Sequence, residues 1–138
     1  MIIDSLELLN FRNYERELFE FSPDTNVLYG NNAQGKTNVL EGIYLCSTTR
    51  SHKGSKDREM IRLGEEDAHL KMFVTKDMVH HKMDVHLKKS KSKGIAVDGI
   101  PVKKSEELLG ISNVVFFSPE DLGIIQNGPD ARRKFIDM

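Results

Sequence analysis

Apolar and polar residues alternate over the first part of the chain and predict a β-sheet. The alternation covers residues 2–11 and 17–21, and the polar stretch 12–16 between them is typical of a hairpin or meander connection. A short apolar run, Val27-Leu28-Tyr29, follows the turn-forming sequence Ser22-Pro23-Asp24 and predicts a further strand. The first 29 residues are therefore predicted to be mainly β-structure.

A helical period replaces the alternation after residue 35 and predicts a helix over residues 36–46. Apolar residues recur there at spacings of three and four: Val39, Leu40, Ile43, Tyr44 and Leu45. Cys46 is the only cysteine, so an internal disulfide is excluded, and the thiol is predicted to be a small buried hydrophobe on the inner side of this helix. The polar and basic residues 47–57 are predicted to form a surface connection.

The middle of the chain returns to alternation and predicts two hairpins. Residues 69–75 and 80–87 form the first, with a turn near Lys76-Asp77. Asp98-Gly99 lies between two short apolar runs and predicts the second, because a type I′ turn needs positive φ at both central residues. Ser105 is predicted to cap a brief helix that Gly110 ends, and the apolar run 111–117 is predicted to be a buried central strand.

A phosphate-binding sequence connects the strand predicted at 27–29 to the helix predicted at 36–46. Residues Gly30, Asn31, Asn32, Ala33, Gln34, Gly35, Lys36 and Thr37 fit the pattern G-x-x-x-x-G-K-[ST]. The glycines let backbone N–H groups approach phosphates at the helix N-terminus, Lys36 supplies a positive charge, and Thr37 supplies a hydroxyl for Mg²⁺. The alternative, a purely structural glycine-rich turn, is disfavoured by the strand-loop-helix context. A nucleoside triphosphate site is therefore predicted.

Composition and charge limit the other functions that the chain can have. The 138 residues are 38% hydrophobic and 30% charged, with a net charge of −1. A domain that binds nucleic acid over its whole surface carries an excess of basic residues and has a pI above about 9. Because this chain has no such excess, a DNA contact must be a local patch. Asp4 and Glu7 interrupt the first apolar run, which excludes a signal peptide, and no stretch approaches the roughly 18 apolar residues of a membrane span. A cytoplasmic location without a membrane partner is expected.

Two basic clusters are candidates for that patch. The first, Lys53, Lys56 and Arg58, follows the predicted helix. The second lies on and after the later strand of the first hairpin and contains Lys82, Lys88, Lys89, Lys91 and Lys93. Lysines on an edge strand commonly block edge-to-edge association, and this structural role is the favoured interpretation of the second cluster. The alternative is a face that lies along duplex phosphates and binds them in a salt-dependent manner.

The sequence Ser118-Pro119-Glu120-Asp121 allows two interpretations. The favoured one is a helix start, with Ser at the N-cap, Pro at the first helical position and acids in the first turn. The functional alternative places a carboxylate, Glu120 in particular, near Mg²⁺ or an attacking water. It is not a Walker B strand, because Ser118 and Pro119 separate the acids from the apolar run. The catalytic site is therefore predicted to be incomplete in this chain.

These residues together resemble the RecF family, bacterial recombination-repair ATPases with the ABC-type head that SMC proteins share. The segments that match the family are residues 6–14, 29–38, 117–122 and 128–137. The first reads Leu-Glu-Leu-Leu-Asn-Phe-Arg-Asn-Tyr, and the last begins Gly-Pro-Asp-Ala-Arg-Arg. The chain departs from the family at Asn127, where Gly is usual, and at His52-Lys53, where an aromatic residue followed by Arg is more common.

The resemblance implies an α/β fold, a P-loop ABC-type ATPase lobe with a mixed β-sheet and an antiparallel β subdomain around a central P-loop helix. Residues 1–138 would form the first lobe, and a second lobe with the signature motif and Walker B acids would be absent. The implied cofactors are ATP and Mg²⁺. Residues 30–38, including Asn38, would hold the nucleotide, with Arg12 and Asn13 on its adenine side. Glu120 would lie near the place of the Q-loop glutamine of ABC ATPases.

The resemblance also implies partners for the full-length protein. Family members bind ATP between two protomers, dimerise on ATP, hydrolyse it weakly, bind double- and single-stranded DNA, and work with RecO and RecR to load RecA at gapped DNA. This lobe alone would bind ATP with little or no hydrolysis. One alternative is a stand-alone P-loop GTPase or small-molecule kinase, which the absence of N-K-x-D and D-x-x-G motifs disfavours. Another is a DNA-binding module in which the P-loop is only a regulatory switch.

Overall fold

The computed structural model describes residues 1–31, 34–108 and 110–118. Its strands are β1 (Ile2–Phe11), β2 (Tyr14–Glu20), β3 (Asp67–Lys76), β4 (Val79–Lys88), β5 (Gly94–Val97) and β6 (Ile100–Pro101). They form one sheet in the order β2-β1-β3-β4-β5-β6, in which all the ladders between described strands are antiparallel. The other described elements are the helices α1 (Lys36–Thr48) and α2 (Asp57–Met60) and a 3₁₀ turn at Ser105–Leu108.

One face of the sheet forms the core because every second side chain points to it. The buried residues at alternating positions on the three longest strands are Leu6, Leu8, Ala68, Leu70, Met72, Val74, Met83, Val85 and Leu87. Phe11, at the end of β1, is also buried. Helix α1 packs across this face. Gly42 permits its close approach, since a Cβ at that position would lie 3.2 Å from Leu8 Cδ2 and 3.3 Å from Leu6 Cδ2. The phosphate-binding sequence is thereby anchored to the core through the helix that follows it.

Most of the predicted elements are confirmed. Strands β3 and β4 pair along their whole length, with a turn at Asp77-Met78, and Asp98-Gly99 forms the β5–β6 turn with φ of 52° and 83°. Helix α1 begins at Lys36 as predicted and ends at Thr48, two residues beyond the predicted end. Cys46 is fully buried, and burial raises the pKa of its thiol. None of the described helices is long and apolar enough to cross a membrane.

Two predicted strands do not form. Residues 27–29 and 111–117 make no ladder with any described strand. Val27 and Tyr29 are 74% and 91% exposed, and Val115 and Phe117 are 98% and 71% exposed. An apolar run becomes a strand only when another strand offers its backbone N–H and C=O groups, and none of the described strands pairs with either segment. The prediction of a buried central strand at 111–117 is therefore wrong for the described residues.

The surroundings of the two basic clusters also differ from the prediction. Helix α2 (Asp57–Met60) follows the connection after α1 and was not predicted. Strand β4 pairs with both β3 and β5, and the edges of the described sheet are β2 and β6. The edge-strand interpretation of the second lysine cluster is therefore wrong. Three of its members instead form ion pairs: Lys82 with Asp84 at 2.9 Å, Lys89 with Glu66 at 3.1 Å and Lys93 with Asp57 at 2.8 Å.

Candidate nucleotide-binding site

The phosphate-binding sequence ends at the uncapped N-terminus of α1. Gly35 is the N-cap residue, in the left-handed conformation, and no side chain caps the helix. The first N–H groups of a helix have no acceptor within the helix, so an uncapped end offers donors and a partial positive charge to an anion. Thr37 is the second residue of α1. Asn32, Ala33 and Glu120 lie outside the described residues.

The two glycines of this sequence occupy positions that other residues would disturb. Both have positive φ, 144° for Gly30 and 96° for Gly35. A Cβ on Gly35 would lie 2.7 Å from both Asn13 Oδ1 and the Tyr14 hydroxyl, and a Cβ on Gly30 would lie 2.9 Å from Gln34 Oε1. At Gly35 the loop therefore packs closely against Asn13 and Tyr14, whereas at Gly30 it packs against its own residue Gln34.

The side chains of Lys36 and Gln34 close the loop. Lys36 Nζ donates to the carbonyl oxygens of Gly30 at 2.7 Å and Asn31 at 2.6 Å. The N–H of Asn31 donates to Gln34 Oε1 at 3.1 Å. A lysine ammonium has three N–H donors, so Lys36 retains donor capacity for a phosphate oxygen. The positive charge thus lies over the loop, beside the helix N-terminus.

The β1–β2 turn contacts both the loop and α1. Asn13 Nδ2 donates to the Gln34 carbonyl at 3.4 Å, and Asn38 Nδ2 donates to Asn13 Oδ1 at 2.8 Å. A groove of about 740 Å³ opens beside this contact. Its lining residues are Arg12, Asn13, Asn38, Arg58, Glu59, Ile61, Arg62 and Leu63. The structure therefore brings Asn38 to the same groove as Arg12 and Asn13, from which it lies about 25 positions away in the sequence.

Arg12 is held by a buried carboxylate on α1. Its Nε and Nη2 atoms donate to Glu41 Oε2 and Oε1 at 2.8 and 2.7 Å, and Ser51 Oγ donates to Glu41 Oε1 at 2.8 Å. Arg12 also donates to Ser55 Oγ and to the Glu59 carbonyl, each at 2.9 Å. Burial would raise the pKa of the Glu41 carboxyl, but the hydrogen bonds from Arg12 and Ser51 outweigh it and hold that pKa below its usual value.

The sequence prediction missed Glu41, although a signal for it exists. Glu41 lies four residues before Leu45, so both side chains project from the same face of α1. Leu45 belongs to the core. An acid on a core-facing stripe needs a cation or several donors, because an isolated buried charge is too costly. The sequence does not reveal that Arg12 is that cation, since the pairing depends on how the β1–β2 turn approaches α1.

The basic residues predicted to bind DNA lie on the connection between α1 and β3. Lys53 is exposed in the turn that precedes α2, Lys56 is the N-cap residue of α2, and Arg58 lines the groove. These three residues are called the basic segment below. The Lys93–Asp57 ion pair attaches the β4–β5 loop, with its lysines, to α2. The structure thus joins two basic clusters that are separate in the sequence.

The comparison with protein families identifies the class of protein. The model of a family described as an AAA domain matches residues 5–130, and the chain belongs to this family. A solved structure from a study of ATP-driven dimerization of SMC ATPases has the same fold, with a TM-score of 0.80 at 20% identity over 99% of this chain and 98% of that one. The predicted α/β fold of an ATPase head is confirmed.

Within this class, the resemblance to RecF is confirmed over the whole chain. The chain is 67% identical to the DNA replication and repair protein RecF of Lachnoclostridium phytofermentans and 59% identical to RecF of Lachnospira eligens. It spans 38% of the length of each of these relatives. A solved structure of the recombination mediator protein RecF with ATP, from the RecFOR pathway, matches with a TM-score of 0.86 at 40% identity over 98% of this chain and 38% of that one.

Proposed function

We propose that residues 1–138 are the ATP-binding first lobe of a RecF-like DNA repair ATPase, whose second lobe supplies the signature motif and the Walker B acids. The observation that carries this proposal is the uncapped N-terminus of α1 behind Gly35, with the Lys36 ammonium beside it. Backbone donors, a helix dipole and a lysine together favour a polyphosphate. The RecF relative solved with ATP supports the same assignment.

Each part of the nucleotide has a proposed place. Residues 30–37 hold the phosphates, and the Thr37 hydroxyl is a ligand of Mg²⁺, which neutralises charge on the β- and γ-phosphates when bound. Arg12, Asn13 and Asn38 lie on the adenine side. The groove that they line, about 740 Å³, falls within the range of about 300–1,000 Å³ that is typical of small-molecule sites.

The proposed role of the full-length protein extends beyond ATP. It dimerises on ATP, binds double- and single-stranded DNA, and acts with RecO and RecR to load RecA at single-strand gaps in the cytoplasm. The relatives described as RecF, a DNA replication and repair protein, support this role. Lys53, Lys56 and Arg58 are the proposed DNA contacts in this lobe. Hydrolysis is weak and stimulated by DNA in the full-length protein, and slight or absent in this lobe alone.

Duplex binding by the full-length protein tests this proposal. Fluorescence anisotropy with a labelled duplex is measured with Mg-ATP, with Mg-ADP and without nucleotide, for the native protein and for Lys36→Ala. ATP is expected to raise the duplex affinity of the native protein, and Lys36→Ala is expected to remove that increase. Equal affinities in all three nucleotide states would exclude an ATP-dependent DNA-binding role.

A further inference from the structure

Glu41 is a buried acid that lies outside the phosphate-binding sequence. Its side chain is 0% exposed. Although Glu41 belongs to α1, its carboxylate accepts hydrogen bonds from two other parts of the chain: the β1–β2 turn through Arg12, and the connection after α1 through Ser51. Two N–H groups of the planar Arg12 guanidinium contact the two oxygens of the Glu41 carboxylate. This contact fixes the orientation of the guanidinium as well as its distance from the carboxylate.

Arg12 connects this acid to the groove. Arg12 lines the groove, and its side chain is 20% exposed. The backbone of Arg12 is also held, since its N–H donates to the Met60 carbonyl at 2.8 Å while its φ is 54°. Positive φ is uncommon for a residue with a side chain. The next residue, Asn13, contacts the phosphate-binding sequence through Gln34.

We propose that Glu41 is a positioning residue for the nucleotide site, which acts by fixing the guanidinium of Arg12 on the wall of the groove. This inference rests on the proposed function of the groove as the place of the base and ribose. Four of the five N–H groups of Arg12 donate to described protein groups. Arg12 is therefore a rigid part of the wall, and Glu41 supplies two of the four contacts that make it rigid.

The role makes a prediction that distinguishes it from simple stabilisation of the fold. The phosphates contact residues 30–37, whereas Glu41 acts on the wall beside the base and ribose. Loss of Glu41 should therefore weaken the binding of ATP. It should leave the binding of a ligand that consists only of phosphates unchanged. If Glu41 only stabilised the fold, its loss would weaken the binding of both ligands, because a disturbed fold would disturb the phosphate-binding loop as well.

The test compares ATP with inorganic tripolyphosphate, each with Mg²⁺, by calorimetric titration of the full-length protein. Glu41→Gln keeps the size of the side chain but turns one acceptor into a donor that faces Arg12. We expect the Kd for ATP to rise about tenfold, the loss that one charged hydrogen bond supplies, while the Kd for tripolyphosphate stays within about twofold. Glu20→Gln, at the exposed far end of β2, is the matched control and should change neither.

A double-mutant cycle adds a second readout. Arg12→Lys keeps the charge but loses the fork, so it should show the same selective loss of ATP. The double variant Arg12→Lys with Glu41→Gln should bind ATP no more weakly than either single variant, because both remove the same contact. Additive losses would overturn the proposal. If circular dichroism shows that Glu41→Gln does not fold, Ser51→Ala, which removes one hydrogen bond to Glu41, and Arg12→Lys carry the test with the same criterion.

The remaining outcomes are also decisive. Equal losses for ATP and tripolyphosphate, or no loss for either, would overturn the positioning role and leave the proposed function intact. Failure of the native protein to bind ATP and tripolyphosphate would overturn the proposed function and this inference with it.

Discussion

The side-chain amide of Asn38 donates a 2.8 Å hydrogen bond to the side-chain oxygen of Asn13. This bond joins the first turn of α1 to the β1–β2 turn. Because Asn13 also donates to the carbonyl of Gln34, the two asparagines connect three segments at one point. The position of the phosphate-binding loop relative to the groove therefore depends on contacts between residues 25 positions apart in the sequence.

Asn38→Ala is expected to weaken ATP binding by about 2- to 12-fold, which corresponds to about 0.5–1.5 kcal/mol for one hydrogen bond. Asn13→Ala should have an effect of similar size. The loss of ATP affinity in the double variant should not exceed the larger of the two single-variant losses. The measurement is calorimetric titration with Mg-ATP. The exposed Asn113 provides the control Asn113→Ala. Fully additive losses would show that the two asparagines act separately.

Gly35→Ala is expected to abolish ATP binding and to lower the free energy of unfolding by more than a matched glycine replacement. Gly64 is that match, since its φ of 93° is close to the 96° of Gly35 but a Cβ on it would meet nothing within 4 Å. Gly64→Ala should cost about 1–2 kcal/mol from the left-handed backbone alone. Gly35→Ala adds the collisions with Asn13 and Tyr14. Urea unfolding measures the loss of unfolding free energy in both variants. Equal losses for Gly35→Ala and Gly64→Ala would contradict the close packing of the loop.

The ion pair between Arg12 and Glu41 should contribute to stability in a pH-dependent way. Removing one partner of a buried pair costs about 3–5 kcal/mol, which is the expected loss for Glu41→Ala at neutral pH. The pKa of Glu41 is lowered in the folded state. Its contribution is therefore complete above the unfolded pKa of about 4.3 and is lost as the pH falls through the folded value.

Urea unfolding of the native protein and of Glu41→Gln over a pH series checks this dependence. The difference in unfolding free energy between the two should be constant from about pH 6 to 8 and should shrink below about pH 4.3. Glu20→Gln should show no such difference at any pH. A difference that grows toward acid pH would mean that Glu41 is not the charged partner of Arg12.

Lys56→Ala should weaken duplex binding about equally for different DNA sequences, because a lysine that contacts phosphate carries no sequence information. The slope of log affinity against log salt concentration should fall by about one in magnitude. Anisotropy over a salt series measures this slope. The exposed Lys103 lies outside the basic segment, and Lys103→Ala is the control. An unchanged slope for Lys56→Ala would remove this residue from the proposed DNA contact.

Local patterns account for the parts of the fold and site that the sequence predicted. The start of α1 and the two hairpin turns depend on neighbouring residues, such as Gly35 before Lys36 and Asp98 before Gly99. The strand predicted at 27–29 does not form because a strand needs a pairing partner, and no described strand pairs with this segment. The Arg12–Glu41 pair joins residues 29 positions apart and two different elements, and no local pattern encodes that approach.

Calorimetric titration of the full-length protein and of Lys36→Ala with Mg-ATP and with Mg-GTP tests the central claim most directly. Lys36 contacts the loop and its side chain is not part of the core, so the variant should retain the thermal stability of the native protein. The native protein is expected to bind ATP with little affinity for GTP, and Lys36→Ala is expected to lose ATP binding. Preferential binding of GTP, or ATP binding that survives in Lys36→Ala, would contradict the assignment of this chain as the ATP-binding lobe of a RecF-like ATPase.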